Sequence, residues 1–373
     1  MRIVITGIGF RSALGDLDCT WRSILNGQTA IELAQPFAKL PPIPLALIAK
    51  QPQNIHQLTH TVVAAAVRDA NLQLPLPDCG VVIGSSRGCQ AQWEEFASTP
   101  HPDLTNWLET LPGSLAVATA RYIGSQSALL APMAACATGI WSLAQAVTSI
   151  RSGACQMAIV GAVEAPITPL SISGFTQMGA LATTGCYPFD KQRNGLVLGE
   201  AGVVFILETS ASAIARGAKI YGEILGFGLT NDAYHICATD LDITAANRAI
   251  LQCLARSNLS HTDIDYLHAH GTGTQLNDRR ESLLVREIFP QGVAISSTKG
   301  ATGHTLGASG AVGVALCLKS IATQVLPPCV GLVNSEFDLD LVMNPRAVKV
   351  DLALCLNFGF GGQNAAIALQ RWC

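Results

Sequence analysis

Three side chains able to carry acyl chemistry stand at separate turns of this chain. Cys136 lies in Ala134-Ala135-Cys136-Ala137-Thr138-Gly139, where an apolar run stops and a helical pattern begins. Ile140, Leu143, Val147 and Ile150 then recur at helix-face spacing until Arg151-Ser152-Gly153 supplies a stop. A cysteine at a helix start faces unpaired backbone N–H groups and the positive end of the macrodipole, which favour a nucleophilic thiolate. The plain alternative is a buried core cysteine, since the chain holds twelve and free cysteine packs as a small hydrophobe. His270 belongs to His268-Ala269-His270-Gly271-Thr272-Gly273-Thr274, a strand running into a loop of glycines and hydroxyls. Alternation places His268 and His270 on one face, so a metal pair is conceivable. No third ligand of fitting spacing stands nearby, and no metal is expected. The glycines allow close backbone approach, and Thr272 and Thr274 offer hydroxyls to a polar tether; a structural histidine before a turn is the alternative.

His304 follows Lys299-Gly300-Ala301-Thr302-Gly303 and lies just before another helical pattern. There the macrodipole disfavours imidazolium and keeps a neutral ring that donates one N–H. Two neutral histidines and a helix-start cysteine together suit the stabilisation of an oxyanion while a thiolate carries an acyl group. Asn357-Phe358-Gly359-Phe360-Gly361-Gly362-Gln363-Asn364 has too many glycines for a strand interior and lacks the order of a dinucleotide fingerprint. Its N–H groups can complete an oxyanion hole while the phenylalanines gate an apolar pocket. A tight turn packing two aromatics is the alternative.

Buried strands must position these turns. Apolar runs at 1–10, 79–84, 157–162, 203–207, 266–270, 293–296 and 352–356 alternate with helical patterns near Trp21, over 58–71, after Cys136 and over 308–321. That alternation predicts an α/β layered fold with sheets covered on both faces. Residues 36–52, rich in proline, read as surface loop, and 90–112 as a cap or interface region. Of 373 residues 49% are hydrophobic and only 13% charged, so much surface must be buried, in layers or under a partner subunit, and a homo-oligomer is expected. A net charge of −3 without a basic block argues against nucleic acid. No signal peptide precedes the first strand, no apolar run approaches the ~18 residues of a membrane span, and the scattered cysteines fit a reducing cytoplasm.

Together these stretches resemble the β-ketoacyl synthases, the condensing enzymes of fatty-acid and polyketide synthesis, in the branch with a Cys-His-His triad. Val4-Ile5-Thr6-Gly7-Ile8-Gly9, Phe189-Asp190-Lys191-Gln192-Arg193-Asn194-Gly195 and Asn231-Asp232-Ala233-Tyr234-His235 extend the likeness over nearly the whole chain. The resemblance implies a thiolase-like five-layer α-β-α-β-α fold of two similar halves, 1–209 carrying Cys136 and 210–373 carrying His270, Lys299 and His304. No internal repeat is evident in the sequence itself. The resemblance further implies that Cys136 takes an acyl chain from a carrier-protein thioester and that the N–H groups of Cys136 and Phe360 form the oxyanion hole. A malonyl thioester of acyl carrier protein then enters, its phosphopantetheine arm passing Thr272 and Thr274. His270 and His304 donate to the enolate formed by decarboxylation, Lys299 supports His304 electrostatically and by a hydrogen bond, and Phe360 acts as gate. It implies no bound cofactor and a homodimer.

Several positions depart from the family pattern. His268 replaces an acidic or amide residue, Gln275 and Asn277 replace proline and glycine, Gln363 replaces threonine, and Gly313 stands where many members place a glutamate linked to a structural cation. The loops before Cys136 and between Tyr234 and Leu267 read as trimmed. Within the superfamily a thiolase needs a second cysteine near 358–364, and a Cys-His-Asn synthase an asparagine at 304; neither is present. The remaining alternatives are an acyltransferase that loads Cys136 without condensing and a non-catalytic partner subunit of a ketosynthase heterodimer.

Overall fold

Ile3–Ser12 (β1) is buried along almost its whole length, and such a strand needs cover on both faces. The computed structural model, which describes residues 1–237 and 242–373, supplies that cover with layers. Four further strands of the first half are Cys79–Gly84 (β2), Leu129–Leu130 (β3), Met157–Glu164 (β4) and Ala201–Thr209 (β5). The second half contributes Gly222–Asn231 (β6), Tyr266–His268 (β7), Ala294–Ser296 (β8), Leu352–Gly359 (β9) and Gln363–Gln370 (β10).

The lateral order is β8-β7-β9-β10-β6-β1-β5-β4-β2-β3. Each group of five therefore follows one plan: third, second, fourth, fifth, first. In both, the third–second and second–fourth pairs are parallel and the other two antiparallel. The repeat hidden in the sequence is plain in the topology. The groups meet where Ile3–Ile5 of β1 pairs antiparallel with Gly222–Ile224 of β6.

Strand alternation decides which helices lie where. Val81, Ile83, Ile159, Val204 and Ile206 face Ile55–Asp69 (α1) and Ser114–Ile123 (α2) on one outside. Val82, Val160, Val203 and Phe205 face inward onto Thr138–Arg151 (α3). In the second half Leu354, Leu356, Ala366 and Ala368 pack outward with Thr244–Ser257 (α4) and Gln275–Ile288 (α5), and Ala353, Cys355, Ala365 and Ile367 pack inward with Ser309–Thr323 (α6). The result is the expected α-β-α-β-α order, with α3 and α6 in the middle layer.

Glycines let those two helices touch at their N-terminal ends. A Cβ on Gly139 would stand 2.5 Å from the Ala311 nitrogen, and one on Gly310 would stand 2.9 Å from the Ile140 nitrogen. This contact sets the spacing between the segments that precede the helices, which carry Cys136 and His304.

Three expectations shift and one, for residues 90–112, gains detail. Within 36–52, Ile43–Ala46 is a strand, antiparallel to Glu32–Ala34 and parallel to Leu198–Gly199, because buried Leu45 joins the apolar cluster around Cys136. The strand predicted through His270 ends at His268, where the chain leaves the sheet for its glycine loop. Residues 90–112 hold a helix, Gln90–Ser98, and a short turn, Trp107–Thr110, tied by the Trp93 indole donating to the Thr110 carbonyl at 3.1 Å. Leu306–Thr323 is long and apolar enough to cross a membrane, with mean hydropathy 1.5, yet 83% of it is buried between the sheets as a core helix.

Candidate active site

The segment before α3 is bent by Ala135, which adopts φ +46°, a conformation strained for a residue with a Cβ. Thr138 holds the bend: its hydroxyl donates to the Ala135 carbonyl at 2.6 Å and accepts from the Ala134 N–H at 2.9 Å. Gly359, at the end of β9, lies against it; a Cβ there would be 2.8 Å from the Ala134 oxygen and 3.0 Å from the Cys136 nitrogen. Cys136 is thereby presented to a cavity of about 340 Å³ that His270, His304, Thr272, Thr274 and Phe360 also line. Lys299 is absent from that lining.

The expected resting thiolate is corrected. Burial pushes the Cys136 thiol up to about 12, Lys299 and Arg87 pull it down, and Glu164 adds to the rise. Helix α3 begins two residues later, at Thr138, and the sulfur sits in apolar surroundings with Ile167, Phe175 and Leu306. Burial thus favours the thiol over the thiolate at Cys136.

Both histidines are buried, neutral and fixed in one tautomer. The Asn357 amide donates to His270 Nδ1 at 2.9 Å, so the proton of that ring resides on Nε2. His304 Nδ1 accepts from the Leu306 N–H at 3.2 Å and from the Ser309 hydroxyl at 2.9 Å, which again leaves the proton on Nε2. The ring centroids are 5.3 Å apart, edge to face. Burial holds both pKa values well below the usual histidine range, and the Lys299 ammonium lowers them further. Two N–H donors on the wall of one cavity form a preorganised site for negative charge.

Lys299 acts on His304 by its charge, as expected, and not by a hydrogen bond. Among the described residues its ammonium makes no hydrogen bond to His304; it donates to the His270 backbone carbonyl. Burial lowers its pKa, opposed by Glu281. Glu281 in turn accepts from the His270 and Gly271 N–H groups at 2.6 and 2.7 Å, and burial pushes it up to about 7. One turn earlier, Asp278 accepts from Thr272 at 3.0 Å and from Phe189 at 2.8 Å. These carboxylates sit three residues apart on α5, a spacing that puts them on one face. The Thr272 and Thr274 hydroxyls meet at 2.9 Å, and Thr274 also caps α5.

Phe358 and Phe360 do not pack on each other. Phe358 stands edge-on to His270, with centroids 5.7 Å apart, and Phe360 stacks on Phe175 at 6.1 Å. The glycine segment is a hairpin tip between β9 and β10, with Gly359 opposite Gln363. His268 and His270 have separate partners: His268 Nε2 lies 3.1 Å from the Thr298 hydroxyl. Among the described residues no group of three or more His, Cys, Asp or Glu side chains is placed to hold a metal ion. Cys355 and His268 leave no room for a side chain at Gly313, where a Cβ would stand 2.7 Å from the Cys355 sulfur and 2.9 Å from His268 Nδ1.

Residue-type reasoning passed over Asn357, Ser309, Asp278, Glu281, Phe175 and Glu164. The last accepts from Ser85 Oγ, Ser86 N and Oγ, Arg87 N and Gly307 N, so one buried carboxylate ties the loop after β2 to the loop after His304. Only the Asp278/Glu281 spacing carried a signal readable in advance.

Two family models match the chain: the β-ketoacyl synthase N-terminal domain over residues 46–213 and its C-terminal domain over 221–333. The chain belongs to the β-ketoacyl synthase family. Within it, the chain is 33% identical to 3-oxoacyl-[acyl-carrier-protein] synthase 2 of Synechocystis, covering 100% of this chain and 98% of that one. It is 32% identical to the synthase of the same name from Staphylococcus aureus, at 100% and 99% coverage. The first alignment runs over 411 positions against 373 residues here, so the relative has segments that this ketosynthase-family chain lacks. Among solved structures, a chain from a type II polyketide synthase complex, an acyl-carrier protein with its ketosynthase bound to the hexaketide, superposes with TM-score 0.92 at 28% identity, covering 100% and 99%. A β-ketoacyl synthase of Burkholderia phymatum gives 0.90 at 26% identity, with full coverage of both chains.

Proposed function

We propose that this protein is a condensing enzyme that joins an acyl group on Cys136 to malonyl-acyl carrier protein, giving a 3-oxoacyl-acyl carrier protein and carbon dioxide. The observation that carries this reading is the pair of buried histidines, each fixed as the Nε2–H tautomer beside one cysteine in one cavity. In loading, the Cys136 sulfur attacks the thioester carbonyl, and the carrier thiol leaves with the proton that Cys136 gives up. The N–H groups of Cys136 and Phe360 hold the transient oxyanion. In condensation, the malonyl carboxylate departs as carbon dioxide and its electron pair forms an enolate, whose oxygen takes hydrogen bonds from His270 and His304. The enolate carbon attacks the acyl-cysteine carbonyl and the Cys136 thiolate leaves. Lys299, through the His270 carbonyl and by its charge, keeps both rings neutral. Thr272 and Thr274 flank the phosphopantetheine arm, and Phe360, stacked on Phe175, separates the loading and condensing states.

The same reading divides the chain into halves 1–209 and 210–373, uses no bound cofactor or metal, and places the protein in the cytoplasm as a homodimer. Supporting the dimer, edge strand β3 exposes Leu129 and Leu130, and Trp107, Leu108, Val117, Tyr122 and Met133 near it in sequence are exposed too. The test is intact-protein mass spectrometry with acyl carrier proteins bearing chains of different length, followed by malonyl carrier protein. An adduct on Cys136 that disappears as a 3-oxoacyl product two carbons longer forms is the expected result. A persistent adduct would make the protein an acyltransferase, and none at all a non-catalytic subunit.

A further inference from the structure

The loop after β2 is clamped by Glu164 through the backbone of Ser86 and Arg87, yet the Arg87 side chain is exposed. Among the described residues no carboxylate lies within ion-pairing distance of its guanidinium, which stands 5.6 Å over the Phe175 ring. Phe175 lines the cavity and stacks on Phe360; Arg87 packs over Phe175 and is not itself in the lining. The surroundings are polar: the Gln90 amide donates to the Glu94 carboxylate at 2.7 Å and to the Thr168 and Ser171 hydroxyls at 3.0 and 3.2 Å. A plain alkyl chain packed against Arg87 would take its guanidinium out of water and offer it no acceptor, which is unfavourable. Thr272 and Thr274, the proposed carrier-arm contacts, lie on the cavity wall itself, whereas Arg87 lies outside that lining, over the Phe175 ring.

We propose that Arg87 is a specificity determinant that selects acyl groups bearing hydrogen-bond-accepting oxygen, a carboxylate or a ketone, several carbons beyond the thioester. This rests on the loading of Cys136 proposed above. As the phenylalanines part, the distal oxygen reaches the guanidinium, whose planar fork accepts a carboxylate bidentately and a ketone through one N–H.

The test compares rates of Cys136 acylation, read by intact mass, with pantetheine thioesters of octanoate, 7-carboxyheptanoate and 7-oxooctanoate. Arg87 also lowers the Cys136 pKa, an effect common to all three, so the readout is the ratio between thioesters on one protein. The parent protein should load at least one oxygenated chain about tenfold faster than octanoate, the scale of a hydrogen bond to a charged group. R87M should bring that ratio to about one. A preference for the carboxylate alone that R87K retains identifies an acidic acyl group; a preference shared by the ketone and lost in R87K identifies a neutral oxygenated one. Equal or faster loading of octanoate by the parent, or an R87M ratio equal to the parent's, overturns the assignment of Arg87 while leaving loading intact. Absence of any adduct overturns the loading reading and this inference with it.

Discussion

The two halves of this ketosynthase fold reach the same cavity by equivalent routes and arrive with opposite provisions. In each, the chain leaves the third strand, turns, and enters a central helix: β3 to Cys136 to α3, and β8 to His304 to α6. The first-half turn is nearly bare. Its bend is held by Thr138 and by the backbone close to Gly359. The second-half turn is crowded: Ser309, Leu306, Lys299 and Glu281 all bond within it or to its neighbour loop. In the proposed reaction the nucleophile must bond to a carbonyl carbon and later leave it, so it needs an approach path more than partners. A hydrogen-bond donor to an enolate must hold one tautomer and one direction throughout, so it needs partners on its far side.

That contrast is most sharply broken by exchanging losses between the halves. C136A should remove acyl loading altogether, whereas H304A should still load while releasing carbon dioxide from malonyl carrier protein ~100-fold more slowly, the scale of one lost oxyanion donor. Equal loss of both steps in H304A, measured by adduct mass and carbon dioxide release, would erase the division of labour. Next in size, N357D replaces the donor to His270 Nδ1 by an acceptor and should move the ring proton off Nε2. Decarboxylation should fall about tenfold or more with loading unchanged, since tautomer control fixes which nitrogen donates; an unchanged rate of carbon dioxide release would remove the tautomer argument. G359A probes the bare half: its Cβ would press on the Ala134 oxygen and the Cys136 nitrogen. Loading should slow with a stability loss of roughly 1–3 kcal/mol by denaturant titration, while carbon dioxide release per loaded enzyme stays level.

The smallest effect is a pH dependence. The folded pKa values of His270 and His304 are depressed by burial, so below pH ~6.5 the unfolded chain takes up protons that the native rings refuse. The stabilisation is fully present above the unfolded pKa and declines as pH falls from there toward the folded values. Thermal midpoints should therefore drop between pH 7 and pH 5, and H304Q should flatten that slope; a slope unchanged in H304Q would assign the acid sensitivity to other groups.

Much of the fold and the site was legible in the sequence, for a physical reason. The strands are continuous apolar runs because both their faces are covered, and the turns that follow them carry the unusual residues, so element type and site location were written together. Cys136, His270 and His304 stood out because few residue types can do acyl chemistry, and the structure brings the three to one cavity. Asn357 and Ser309 were not, because an amide or hydroxyl gains meaning only when a ring nitrogen lies at hydrogen-bond distance. The charge state of Cys136 was misread for the same reason: position at a helix start is local, whereas burial by Ile167, Phe175 and Leu306 depends on the whole fold. The halves could not be matched by sequence because sheet order survives changes that erase residue identity.

The clamp on Glu164 bears on how such a protein can change over generations. It fixes the backbone of Ser86 and Arg87 and the approach to His304 together, so loss of the carboxylate would disturb both loops at once. The side chain at 87 is under no such restraint. Replacements there can alter what the protein accepts without shifting the loop that bears them, which makes position 87 a place where substrate range can drift while the catalytic frame is inherited intact.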